Sequence, residues 1–304
     1  MRTHGDDVLD MQAVRQQAVR LAKMARDEDL GSRGDITSAL IADVEPASFH
    51  LLGKACGVFA GREVAADVLS VFEGRIRLHW MEPGRDGNRI VEPPTHLATL
   101  TGPLRAILSA ERTLLNFLQR LSGVATATRR FVDAVAGTRA VILDTRKTIP
   151  GWRCLDKYAV RCGGGQNHRL GLHDAVLLKD NHLAGIPVDR LAQEVDGMLL
   201  RLRELCPPPA FIEVEADRLE QVEALLHVRG IDVILLDNLT PNELRRAVDL
   251  RNRHDLADTV QFEVSGGVTL ETVRAVAEAG VERISVGAIT HSAAALDLSL
   301  ERVG

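Results

Sequence analysis

Six short apolar runs recur between residue 139 and the C-terminus: AVILDT, AVLLK, FIEVE, VILLD, QFEVS and RISVG. Amphipathic stretches such as VDRLAQEVDGMLLRLREL, DRLEQVEALLHV, PNELRRAVDLRN and LETVRAVAEAG separate most of them. Strands that alternate with helices form a parallel sheet, because each crossover must carry the chain back to the same starting edge. Such a sheet either closes into a barrel or stays open and doubly wound. Each run ends in a polar or glycine residue: Arg146 and Lys147, Lys179, Glu215, Asp237, Ser265 and Gly287. A barrel spreads its ligand groups over the C-terminal ends of several strands. A doubly wound sheet gathers them at one switch point, usually behind a G-x-G-x-x-G turn, and this chain has no such turn. The pattern predicts an (α/β) barrel.

The first third reads differently. Residues 8–26 repeat apolar positions at helical spacing (Val8, Met11, Val14, Ala18, Leu21, Met24), and DEDLGSRGDIT then breaks the pattern. FHLLGKACGVFAG and RIRLHW read as strands, EPGRDGN as a turn, and EPPTHLATLTGPLRAILS as two more short strands around its prolines. SAERTLLNFLQRLSGVATATRRFVDAV reads as a long helix with Ser109 as its N-cap, interrupted at Gly123.

With 37 basic and 42 acidic side chains the net charge is −5, which excludes a broadly basic nucleic-acid binder. Aromatic residues make up only 3% of the chain, too few for a base-stacking surface. Cys56, Cys154, Cys162 and Cys206 contain no C-x-x-C pair and read as reduced thiols. The start, MRTHGDDVLDMQAVRQQ, lacks the apolar core of a signal peptide, and no run of about 18 apolar residues occurs. The expectation is a cytoplasmic protein without a membrane segment.

The densest chemistry lies in Asp144–Thr148, Lys157–Arg161 and Gly163–Arg169. Three consecutive glycines free the backbone to approach a ligand, and the cations around them attract phosphate or carboxylate. Arg146, Lys147, His168 and Arg169 near one barrel mouth repel each other unless an anion compensates them. Lys179 admits a Schiff base, an anion contact or an ion pair with Asp180. Glu213 and Glu215 lie two apart on a strand and face inward together. Buried carboxylates need a partner: Lys147, Lys179, ribose hydroxyls or a hydrated Mg²⁺ would serve. Glu213, deeper, reads as structural and Glu215 as functional. Asp237 repeats that logic, with Asn238 as a turn former. Ser265-Gly266-Gly267 and Ser285-Val-Gly-Ala288 end the last two strands, where barrels commonly hold a phosphate. Arg112 reads on its own as a solvated helix residue. Cys154, Cys162, His173, His227 and His254 show no partner spacing.

These residues resemble the quinolinate phosphoribosyltransferase family. The matching pieces are EDLGSRGDIT, GVFAG, SAERTLLNFLQRLSGVAT, DTRKTIPGWRCLDKYAVRCGGGQNHRLGLHDAVLLKDNH, IEVEADRLEQVEAL, ILLDN, EVSGGVT and ISVGAITHS, spread over residues 28 to 292. Ile149 and Trp152 depart from the family pattern, at positions that are not ligands in it. The resemblance implies an N-terminal α/β sandwich over 1–125 and an incomplete barrel of six to seven strands over 126–304, in a homodimer. It implies Mg²⁺-dependent transfer from phosphoribosyl pyrophosphate (PRPP) to quinolinate, a pentosyl transfer that releases pyrophosphate and CO₂ and yields nicotinate mononucleotide for NAD biosynthesis.

By position in the matching motifs, Arg146, His168 and Arg169 would bind the quinolinate carboxylates, with Arg112 reaching them across the dimer and Thr145 among the substrate-binding residues. Lys147 and Lys179 would lie near both ligands. Glu215 and Asp237 would serve the ribose hydroxyls and Mg²⁺, with Lys147 the third catalytic group. Ser265, Gly266, Gly267, Val286, Gly287 and Ala288 would hold the 5′-phosphate. Nicotinate as acceptor and the molybdate-transport-associated branch of the family are the competing assignments; Asn167-His168-Arg169 favours the biosynthetic branch. Outside the family, a Lys179 Schiff-base aldolase and a non-catalytic phosphosugar sensor remain as other classes.

Overall fold

The protein is described as a computed structural model covering residues 9–41, 46–73, 75–205 and 208–304. Cys206 and the first eight residues, among them Val8 and the start of the segment read for a leader, lie outside the described residues. In chain order the first elements are α1 (Met11–Leu30), β1 (Pro46–Gly53), β2 (Gly57–Val58), α2 (Arg62–Leu69) and β3 (Arg77–Trp80). Then come β4 (Arg89–Ile90), β5 (Thr95–Pro103), α3 (Leu104–Ala134), β6 (Val141–Leu143), α4 (Arg153–Cys162) and β7 (Val176–Leu178). They are followed by α5 (Asp180–Leu183), α6 (Val188–Leu205), β8 (Ile212–Ala216), α7 (Leu219–Leu226), β9 (Val233–Asp237) and α8 (Pro241–Arg253). The last are β10 (Gln261–Ser265), α9 (Val273–Ala277), β11 (Arg283–Ser285), α10 (Ala288–His291) and β12 (Leu298–Arg302).

The chain folds as two units. Among the described residues, one holds 9–129, Lys147–Gly165 and Ala288–Gly304; the other holds Arg130–Arg146 and Gln166–Gly287. The first is an α/β sandwich built on an antiparallel sheet in the order β12-β1-β5-β3. In β1, Ala47, Phe49, Leu51 and Gly53 are buried while Ser48, His50 and Leu52 are partly open, the period of two that one covered sheet face requires. The chain's last strand supplies the sheet edge, with Leu51 opposite Leu300. Lys147 belongs to this unit. Asp156 pairs with Arg120 at 2.9 Å, Arg120 donates to the Thr290 carbonyl at 2.6 Å, and Thr290 Oγ1 donates to the Lys147 carbonyl at 2.8 Å.

Four local expectations are corrected. Ser109 is not an N-cap: α3 begins five residues earlier, directly after β5, and the Ser109 hydroxyl donates to Asp35 Oδ2 at 2.9 Å. Gly123 does not interrupt α3; a Cβ there would lie 2.1 Å from the Ala294 carbonyl oxygen, so the glycine admits a passing backbone. The proline-flanked segment forms one strand, β5, rather than two, and α1 runs on to Leu30 before Gly31 at φ +51° ends it.

The second unit contains all six strands expected from the apolar runs, every neighbouring pair parallel, in the order β6-β11-β10-β9-β8-β7. Sequence neighbours lie side by side from β7 to β11, and the first strand joins the last. That is the order of a barrel left open between β6 and β7, not of a sheet that reverses at a switch point. Gln166 lies along the free side of β6: its amide donates to Ile142 O at 2.8 Å, and its carbonyl accepts from Asp144 N at 3.2 Å. The glycine-rich segment therefore delivers Asn167, His168 and Arg169 to the strand that carries Asp144.

Candidate active site

Asp144 is fully buried at the end of β6 and organises the turn opposite it. Its Oδ1 accepts the His168 backbone N–H at 3.0 Å, and its Oδ2 accepts from Asn167 Nδ2 at 2.6 Å. Asp174 closes the next loop by accepting the Leu170 and Gly171 amides. Arg169 is held between them, its Nη1 donating to the Ala175 carbonyl at 3.1 Å. Burial is the main cause that lowers the Arg169 pKa, and the positive charge of Arg146 adds to it. Arg146 is half-buried, and its Nε finds no hydrogen-bond partner among the described residues. Two guanidiniums drawn together out of water, one with an unused buried donor, are arranged for an anion.

A second cluster lies at the ends of β8 and β9. Burial raises the pKa of Glu215, helped by Asp237 and Asp180, while Lys179 and the Asp180 amide lower it. Lys179 is exposed at the start of α5, unlike the desolvated lysine that a Schiff-base mechanism uses. Asn238, at φ +56°, turns the chain and donates to Asp237 Oδ2 at 2.7 Å. Ser265 stands opposite Asp237 in the parallel register. Gly266 follows at φ +87°, where a Cβ would lie 2.8 Å from Asp237 Oδ1. Only glycine fits between that carboxylate and the strand end. Gly267 is likewise left-handed at φ +59°. Val286 N donates to Leu143 O at 2.9 Å, so the β11–α10 connection carrying Gly287 runs along the end of β6.

Below these groups the barrel holds a buried ionic network that sequence reasoning missed. His168 Nε2 lies 2.9 Å from Glu213 Oε2 and 3.3 Å from Glu263 Oε1, and Arg283 Nε donates to Glu263 Oε2 at 2.8 Å. The protein partner of Glu213 is thus His168 rather than Lys147 or Lys179. Burial alone would depress the His168 pKa; Glu263 and Glu213 reverse this and lift it to about 10. Burial opposes ionisation of Glu263, but His168 and Arg283 bring its pKa down to about 2. Burial and the nearby Glu263 push Glu213 up. The signal was available: Glu263 lies two residues before Ser265 and Arg283 two before Ser285, the inward spacing already applied to Glu213 and Glu215.

Arg112 is exposed on α3, Lys147 is exposed just after Arg146, Thr145 is half-buried between Asp144 and Arg146, and Ala288 opens α10. Trp152 packs on Phe117 at 4.8 Å between ring centroids, and Ile149 is exposed. Burial raises the Cys162 thiol pKa, and the rings of His227 and His254 meet edge to face at 5.0 Å, a pairing their sequence separation hides. Among the described residues, no helix is long and apolar enough to cross a membrane.

Models of the N- and C-terminal domains of quinolinate phosphoribosyl transferase match residues 35–122 and 124–301. The nicotinate-nucleotide pyrophosphorylase (carboxylating) of Mycobacterium leprae is 41% identical over 280 residues, covering 92% of this chain and 95% of that protein. A probable enzyme of the same name from Bacillus subtilis is 37% identical over 280 residues, covering 90% and 89%. The solved nicotinate-nucleotide pyrophosphorylase of Francisella tularensis superposes with a TM-score of 0.84 at 34% identity, covering 95% of this chain and 97% of that one. Matched over both its domains and nearly its full length, the chain belongs to the quinolinate phosphoribosyltransferase family.

Proposed function

We propose that the chain transfers the phosphoribosyl group of PRPP to quinolinate, releasing pyrophosphate and CO₂ and forming nicotinate mononucleotide. The juxtaposition of Arg146, with its unused buried Nε, and the desolvated Arg169 carries this reading. Quinolinate brings two adjacent carboxylates, enough charge to compensate both guanidiniums. Thr145, Arg146 and Arg169 grip them, with Lys147 beside both ligands and His168 behind Arg169. Arg112 of the partner subunit completes the grip in a homodimer. Lys179 lies near both ligands, and the Ser265–Gly267 and Val286–Ala288 strand ends receive the 5′-phosphate.

The pyridine nitrogen attacks the anomeric carbon of ribose as the bond to pyrophosphate breaks. Glu215 and Asp237 orient the ribose hydroxyls and stabilise positive charge developing on the sugar. The bond from C2 to its carboxylate then breaks, its electron pair drawn toward the new pyridinium nitrogen, and C2 takes up a proton as CO₂ leaves. Positioning and electrostatics carry the reaction; no side chain acts as a nucleophile. The like-charge crowding of Glu215 with Asp237 and Asp180 suits a hard divalent cation. Glu215 and Asp237 would hold Mg²⁺ with PRPP, directly or through water, where it would neutralise pyrophosphate charge.

Incubation with Mg²⁺, PRPP and quinolinate should yield nicotinate mononucleotide and CO₂ in equal amounts. Formation of the nucleotide from nicotinate, with none from quinolinate, would replace the acceptor. No nucleotide from either acid would overturn the assignment.

A further inference from the structure

Lys147 stands in an irregular stretch between β6 and α4, exposed and outside any helix or strand. A side chain in such a stretch is placed only as well as its backbone is tied down. Part of that tie comes from 143 residues further along the chain, where the Thr290 hydroxyl, on α10, donates to the Lys147 carbonyl at 2.8 Å. Thr290 is fully buried, and a buried hydroxyl is retained by the bonds it makes.

Thr290 is itself held. Its carbonyl accepts from Arg120 Nη2, on α3, at 2.6 Å, and the same nitrogen donates to Asp156 Oδ1, on α4, at 2.9 Å. Arg120 Nε reaches that oxygen too, at 3.2 Å. Asp156 is fully buried and the Arg120 side chain largely so. One guanidinium thus fastens α4, which closes the stretch carrying Lys147, and α10, which carries Thr290, to the long helix α3. All of these residues lie in one unit. α10 opens at Ala288, one of the residues assigned to the 5′-phosphate, and Thr290 lies two positions on.

We infer that Thr290 is a positioning residue for Lys147: its hydroxyl ties the Lys147 backbone to α10, so the amine of Lys147 keeps a fixed place relative to Ala288. The inference rests on the assignment of Lys147 to the site. Displacing a catalytic group by about 1 Å can cost on the order of 100-fold in rate, so one hydrogen bond to its backbone has leverage on turnover.

Thr290→Val removes the hydroxyl with little change of shape, and Thr290→Ser restores it. The first should lower kcat roughly tenfold, with KM for quinolinate and for PRPP within about threefold, and the second should recover most of the loss. Thr128→Val is the control. It also removes a buried hydroxyl of the same unit, one that bonds back to the Val124 carbonyl of its own helix at 2.8 Å. It should leave kcat unchanged. In Lys147→Ala the amine is gone, so adding Thr290→Val should cost nothing more. A near-normal kcat in Thr290→Val, an equal fall in the control, or losses that multiply in the double variant would overturn the inference. Normal turnover in Lys147→Ala would remove Lys147 from the site and leave Thr290 nothing to position.

A second measurement needs no turnover and separates those failures. In reductively ¹³C-methylated protein, the Lys147 signal is identified by its absence from Lys147→Ala. It should shift in Thr290→Val and return in Thr290→Ser. A signal that stays in place in Thr290→Val overturns the inference, whichever acid is the acceptor.

Discussion

Asp144 accepts the backbone N–H of His168 at 3.0 Å, so the strand end that leads into Arg146 also sets the turn that leads into Arg169. The two arginines are 23 positions apart in the chain, and one buried carboxylate spaces them. Asp144→Ala would leave the His168 amide and the Asn167 side chain without their acceptor. A buried donor stripped of its partner costs about 1–3 kcal/mol. Thermal unfolding should register that loss, and KM for quinolinate should rise with it. An unchanged melting temperature would show that the turn holds itself.

Arg146→Met separates function from stability. The substitution keeps most of the aliphatic stem while removing an unsatisfied buried Nε and a charge that disfavours Arg169. The melting temperature should stay constant or rise. Turnover of quinolinate should fall on the order of 30- to 1000-fold, matching the roughly 2–4 kcal/mol that a charge-assisted contact in a desolvated site supplies. A stable variant with near-normal turnover would remove Arg146 from the site.

Glu215 makes stability depend on pH in a direction opposite to most carboxylates. Burial and its acidic neighbours raise its folded pKa above the ordinary 4.5. The folded state then holds the proton more tightly than the unfolded state. The stabilisation is fully present below the unfolded value and is lost as pH climbs through the folded one. In Mg²⁺-free buffer, Glu215→Gln should flatten the decline in melting temperature above pH 4.5. The effect should be modest, since the side chain is partly solvated. Parallel curves for the two proteins would count against the crowding.

Gly123→Ala sets helix propensity against packing. In an open helix the change would gain about 1 kcal/mol. Here the new Cβ would lie 2.1 Å from the Ala294 carbonyl oxygen, so α3 or the segment around Ala294 must shift. The melting temperature should drop despite the better propensity. A rise would show that the segment yields freely.

Gly123 also marks where sequence reasoning ended. The six parallel strands were readable because each is a short apolar run closed by a polar residue, a pattern set by local periodicity. The cations around Arg146 and Arg169 were readable because clustered like charge has few structural explanations. Contacts between distant segments were not readable. Gly123 faces Ala294, Ser109 answers Asp35, and His227 meets His254 only after the chain folds. Glu263 and Arg283 were hidden for another reason. Their strands read as apolar, and each charge becomes meaningful only beside the other and His168.

The role proposed for Arg112 yields the most demanding test. Arg112 is exposed on α3, and Lys147 directly follows Arg146. If Arg112 serves the partner's quinolinate, Arg112→Ala and Lys147→Ala damage different halves of a composite site. Two-fold symmetry then gives a mixed dimer one doubly damaged site and one intact site. Random pairing of equal amounts makes half the dimers mixed, so about a quarter of wild-type activity should return after subunit exchange. Each parent variant should remain nearly inactive on its own, and both should melt like the wild type because the two side chains are exposed. Had Arg112 served its own subunit, every site in the mixture would carry one lesion, and no activity could return. A mixture that stays inactive after exchange has been verified by mass would therefore place Arg112 in the site of its own chain, or outside the site altogether.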